Sequence, residues 1–187
     1  MKVCIVAEGC YPYVVGGVSG WINSLIQSFP NIEFILLTII ANRSSRGKFV
    51  YELPKNVTQV YEVYLEDCEW NNGKKRQKNR KHIRLSKKEY TEMLNMVLNR
   101  KTDWNILFDL FQRKNLSIDD LLMGPDFFQI ARECYNRKYS GIVFSDFLWT
   151  LRSIYLPMFW VLKMNIPKAD LYHCVATGYA GVLGSMA

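Results

Sequence analysis

Few residues in this chain have types and spacing that could do chemistry. The first are a glycine pair, Gly16-Gly17, lying between the apolar run Val3–Ala7 and the segment Val18-Ser-Gly-Trp21-Ile22. Strand, glycine loop and helix together aim bare backbone N–H groups at an anion. Glycine in such a loop lets a ligand come up against the backbone. A tight turn in which the glycines only supply positive φ explains the same pair without a ligand, and spacing alone leaves the two readings even. Two nucleotide fingerprints are excluded: Gly16-Gly17-x-x-Gly20 does not have G-x-G-x-x-G spacing, and no Gly-Lys-Ser/Thr follows to make a P-loop. The second group is Thr177-Gly178-Tyr179, another glycine turn between strand and helix, where Thr177 offers a hydroxyl or simply a helix cap. His173 lies within that strand, where a lone histidine is more often a satisfied core residue than a catalyst. With two histidines, His82 and His173, and no carboxylate cluster, no metal ligand set is expected.

The elements that must position these residues read as an open α/β sheet. Val3–Ala7 and Glu33–Ile40 are nearly unbroken apolar runs rich in β-branched residues, the pattern of strands buried on both faces. Val57–Leu65 alternates more, which predicts an edge position or one wetter face. Val18, Ile22, Leu25, Ile26 and Phe29 fall at helical spacing, with Pro30 closing the helix. Asp170–Val175 is the fourth strand. From Lys87 onward helices dominate: Tyr90–Leu98, a helix capped by Thr102, a Ser117 capping-box variant, and a helix starting at Gly124-Pro125-Asp126. Ser145–Asn165 is the longest apolar helical segment. Pro157 should kink or restart it, and Asp146, Arg152 and Lys163 leave an uncharged run too short to cross a membrane.

The hydrophobic content of 49% and aromatic content of 14% exclude a disordered chain. The net charge of +7 is a local feature. Nine of the 24 basic residues lie between Lys74 and Lys88 with no acid among them, while the rest of the chain carries 15 basic and 17 acidic residues. Glu66–Ser86 therefore reads as a solvated insertion. Its alternative role is an electrostatic patch for anionic lipid or an acidic partner, without the interleaved aromatics that single-stranded nucleic acid requires. The five cysteines are scattered, as in a reducing cytosol, and the first apolar run is too short for a signal peptide.

The string Glu8-Gly-Cys-Tyr11-Pro-Tyr-Val-Val-Gly16-Gly17-Val-Ser-Gly-Trp21 resembles the opening of retaining glycosyltransferases of family 4, which have the GT-B fold. More narrowly it is similar to the branch typified by the Pel exopolysaccharide glycosyltransferase PelF. A second match, Ala169-Asp170-Leu-Tyr-His173-Cys-Val-Ala-Thr177-Gly178-Tyr179-Ala-Gly181, lies at the far end, so the two bracket the chain. The resemblance implies a Rossmann-like open parallel sheet with flanking helices, the N-terminal half of a GT-B fold, carrying a basic and helical insertion at about 66–140. It implies transfer of a hexose, with retention, from a nucleotide-diphosphate sugar, expected to be UDP-linked, to a growing exopolysaccharide. No cofactor is expected beyond that donor. Glu8, Tyr11, Gly16 and Gly17 would line the acceptor and diphosphate side. Thr177, Gly178 and Tyr179 would form the facing wall, and His173 would contact the transferred sugar as the catalytic residue. The family's paired acids, E-x7-E, belong to a second, nucleotide-sugar domain with no match within residues 1–187, so these residues alone are expected to be inactive. The implied setting is cytoplasmic, peripheral to the inner membrane face beside polysaccharide synthesis machinery, with no nucleic-acid partner. Two alternatives stand beside this: a non-catalytic interaction module docking through Lys74–Lys88, and a nucleotide-binding Rossmann domain of other chemistry.

Overall fold

A computed structural model of the chain describes residues 1–68 and 83–187. The fold is α/β, with an open, all-parallel sheet of four strands in the order β3-β2-β1-β4. The strands are β1 (Lys2–Glu8), β2 (Glu33–Ile40), β3 (Val57–Tyr64) and β4 (Leu171–Cys174). Lys2–Glu8 of β1 pair in register with Glu33–Ile39 of β2, and Val3–Val6 pair with Leu171–Cys174 on the other side. The interior residues of β1 and nearly all of β2 are buried, as their continuous apolar runs require of strands flanked on both edges. The alternating β3 is an edge strand and keeps Thr58, Gln59 and Tyr61 exposed, while its end, Val63 and Tyr64, is buried.

The chain divides into two units, Met1–Glu69 with Met164–Ala187, and Trp70–Lys163. In the sheet unit, helix α1 (Gly17–Ser28) buries Ile22 and Ile26 against Val3, Ile5, Ala7, Phe34 and Leu36. These alternate residues of β1 and β2 share one sheet face. Cys4, Val6 and Glu8 point to the opposite face, where a short helix, α7 (Tyr179–Ser185), packs on β1 and β4. Its approach is so close that a Cβ at Gly184 would lie 2.1 Å from Cys174 Sγ.

The second unit holds α2 (Lys87–Val97), α3 (Trp104–Phe111), α4 (Ile118–Leu122), α5 (Pro125–Cys134) and α6 (Phe144–Leu162). This helical unit extends to Lys163 and includes α6, beyond the 140 given to the insertion from sequence, because α6 packs on α3 and α4. Phe127, Ile130, Ala131 and Cys134 form the buried face of α5 as their spacing predicts. Thr102 does not cap α3. The helix begins one residue later, Asp103 accepts the Asn105 N–H at 3.1 Å, and the Thr102 hydroxyl donates to the Arg100 carbonyl instead. Nor does Pro157 restart α6, which runs through it as a single helix of 19 residues. Phe147 and Leu151 before the proline and Phe159, Val161 and Leu162 after it are all buried, so both halves pack into the helical unit. Lys74–Lys81 and His82 lie outside the described residues. Of the basic segment only Ile83–Lys88 is described, with Lys87 opening α2.

Candidate functional site

The chemically suggestive residues gather on the sheet unit, around the carboxyl ends of β1 and β4. The chain proceeds from β1 outward to β2 and β3, then places β4 on the other side of β1. That reversal makes the gap above β1 and β4 the topological switch point, where open α/β sheets bind ligands. The loop after β1 (residues 9–16) and the turn after β4 (Val175–Gly178) both border it.

Two helices begin there, and their amino ends differ. At α7, Glu8 Oε2 accepts the Ala180 N–H at 3.3 Å, and a Cβ at Gly178 would stand 2.8 Å from the same oxygen. The chain's own carboxylate thus occupies this end. Tyr179 is half-buried beside it, and burial first, then the Glu8 charge, raises its hydroxyl pKa. Thr177 and Gly178 are exposed. At α1, no side chain among the described residues caps the helix. Its first intrahelical bond runs from Gly20 N–H to the Gly16 carbonyl at 2.8 Å, leaving the N–H groups of Gly17, Val18 and Ser19 ahead of it. Gly16 is extended (φ 178°) and Gly17 is helical; neither occupies the left-handed region. A Cβ at either would meet no described atom within 4 Å. The turn explanation for this pair therefore fails, because neither backbone conformation nor packing requires glycine at 16 or 17. By contrast, Gly9, at the start of the loop, has φ 62° and supplies the turn out of β1.

Tyr11 is not on the open side. It is fully buried, its ring lies 5.2 Å from that of Tyr51, and its hydroxyl donates to Asn23 Oδ1 at 3.2 Å. Burial, with Tyr51 second, pushes that hydroxyl up to about 12. An aromatic this large following a glycine turn is an anchor for the loop, a role that its motif does not distinguish from ligand contact. His173 sits within β4, opposite Ile5 on the face that carries α1. Its half-buried ring lies 5.5 Å from that of Trp21, which is itself 48% exposed. A ligand reaching His173 would have to share it with this indole. Trp21, together with exposed Val14, Val15 and Val18, gives the glycine loop an apolar rim. Sequence reading passed over Trp21 as a site residue, although its place one helical turn after Gly17 puts it beside the helix start.

The family of the domain of unknown function DUF3492 matches residues 1–187. The chain belongs to that family. No curated protein and no solved structure matches it. In the DUF3492 chain, no group of three or more His, Cys, Asp or Glu among the described residues is placed to hold a metal. No helix among them is long and apolar enough to cross a membrane. The hollow bordered by Lys2, Glu33, Lys168 and Asp170 lies at the amino ends of the strands, the opposite edge from the glycine loop.

Proposed function

We propose that the DUF3492 chain supplies the acceptor and diphosphate side of a retaining glycosyltransferase that moves a hexose from a UDP-linked sugar to a growing exopolysaccharide. One observation carries the reading: Gly16 and Gly17 are glycine with no conformational or packing need to be. What remains is the need for something else to reach the backbone. The uncapped start of α1 offers it about half a positive charge and free N–H donors. The diphosphate belongs at that end rather than at α7, where Glu8 already bonds the backbone and would repel a second anion. Glu8, at the carboxyl end of β1, has a carboxylate that suits a sugar hydroxyl. Thr177, Gly178 and Tyr179 make the facing wall, and His173 supports Trp21 next to the sugar. The motif resemblance supplies the donor and the reaction class; the geometry supports where the anion would lie. Membrane-side polysaccharide machinery is the setting that fits such an acceptor.

The test is an amide NMR titration of the chain with UDP-glucose. Shifts concentrated at Gly16–Ser19 are expected. Absence of binding, or shifts confined to the Lys2–Asp170 edge, would contradict the proposal.

A further inference from the structure

A second polar cluster lies at the carboxyl ends of β2 and β3, apart from the residues assigned above. Glu62 projects from β3 with its side chain 16% exposed. Its carboxylate accepts from the Tyr13 hydroxyl in the β1–α1 loop and from the Gly47 N–H at 3.1 Å in the β2–β3 connector, residues 41–56. Arg46 Nε stands 4.0 Å from the other oxygen. Thr38 of β2 completes the group: its hydroxyl is 3.5 Å from that of Tyr13 and donates to the Tyr61 carbonyl at 3.1 Å. The nearby Arg43 is turned away, held bidentately by Asp67. Around this cluster the two loops touch again. Val50 N–H donates to the Pro12 carbonyl at 2.9 Å, and the Phe49 ring meets Tyr13 edge-on at 5.4 Å. Glu62 is thus a strand side chain that grips both loops at once.

We propose that Glu62 is a positioning residue, clasping the β2–β3 connector to the β1–α1 loop and so fixing where Gly16 and Gly17 present their N–H groups. Tyr13 is the last anchored side chain before the glycines, since Val14 and Val15 are exposed and α1 starts at Gly17. The position of Gly16 is therefore set from one side by the Tyr13 anchor and from the other by the buried face of α1. The consequence for a ligand rests on the glycosyltransferase reading; the clasp itself does not.

The clasp is proton-sensitive. Burial pushes the Glu62 carboxyl up, but the Tyr13 hydroxyl, the Gly47 N–H, the Tyr64 hydroxyl and the Arg46 charge together hold it below the usual glutamate value. A carboxyl lowered in the folded state stabilises fully above the unfolded value, about 4.3, and loses that effect as pH falls through the folded one. Burial, and then Glu62, raises the Tyr13 hydroxyl, so it remains a donor across this range.

The experiment follows backbone amides of the whole chain by NMR from pH 7 down to about pH 3, with no ligand present. The Gly16, Gly17 and Gly47 amides are expected to shift together with one midpoint below the ordinary glutamate value. That step should disappear in Glu62→Gln and persist, with a moved midpoint, in Glu62→Asp. Glu8 and Asp67 are other carboxylates near these loops, and a step that survives Glu62→Gln would overturn the proposal. In Glu62→Gln at pH 7, exchange of the Gly47 and Val50 amides should rise at least tenfold while β1 stays protected; unchanged exchange would also overturn it. If Glu62→Gln does not fold, Tyr13→Phe decides by the Val50 amide alone: faster exchange supports the clasp and unchanged exchange refutes it. Failure of the unaltered chain to bind UDP-glucose would sink the glycosyltransferase reading and leave these ligand-free results standing.

Discussion

Gly184 and Gly17 look alike in the sequence, each a glycine in or beside a helix, and the structure gives them opposite reasons. At Gly184 a Cβ would fall 2.1 Å from Cys174 Sγ, so the glycine lets α7 seat on β4. At Gly17 it would meet open space. Gly184→Ala is accordingly expected to cost about 1–3 kcal/mol through overpacking. Urea denaturation would show it, and an unchanged midpoint would mean α7 is free to shift. Tyr11 carries the same lesson from the other side. Its motif placed it with the ligand residues, but a strand-end tyrosine beside an apolar helix face also has a core to enter, and the core took it. Residue type and spacing made the glycine pair visible. They could not separate ligand contact from anchoring, because that depends on what the residue faces across the fold.

Among the elements, hydrophobic period was the most legible signal. The unbroken runs of β1 and β2 gave interior strands, and the alternation of β3 gave an edge. Helix starts were less well read. Thr102 and the true cap, Asp103, stand side by side, and residue type does not choose between them because both types cap helices. The capping box at α2 was missed although Ser86-x-x-Glu89 spells it out. Ser86 N–H donates to Glu89 Oε2 at 2.7 Å, and Glu89 N–H to Ser86 Oγ at 3.3 Å. The dense positive charge just before it has the pattern of an insertion, and the box lies where the two patterns meet. Glu89 is also nearly buried and paired with Arg113, which ties the box to α3's end of the helical unit. Ser86→Ala should lower the stability of that unit by about 1 kcal/mol. Chemical denaturation followed by helical circular dichroism would measure this, and no change would mean that Glu89 and Arg113 hold the helix start without the cap.

At the scale of the molecule, the site depends on which side of β1 the fourth strand takes. Four parallel strands were legible from the chain; their order was not, because it is decided by how connections cross the sheet. With β4 beside β1, the loops after both strands meet at one switch point, as the two motif matches at opposite ends of the sequence require if they serve one ligand. What sequence could not convey is that the two helix starts there are unequal, Glu8 occupying one and nothing described capping the other. On the proposed function, Gly16 and Gly17 serve a ligand and not the fold. Its most direct test is Gly17→Val, read both by thermal melting and by UDP-glucose affinity. With open space around a Cβ at position 17, the melting temperature should move by no more than the few degrees that about 1 kcal/mol represents, while affinity falls at least tenfold. A variant that melts far lower yet binds UDP-glucose as tightly as the unaltered chain when folded would contradict it.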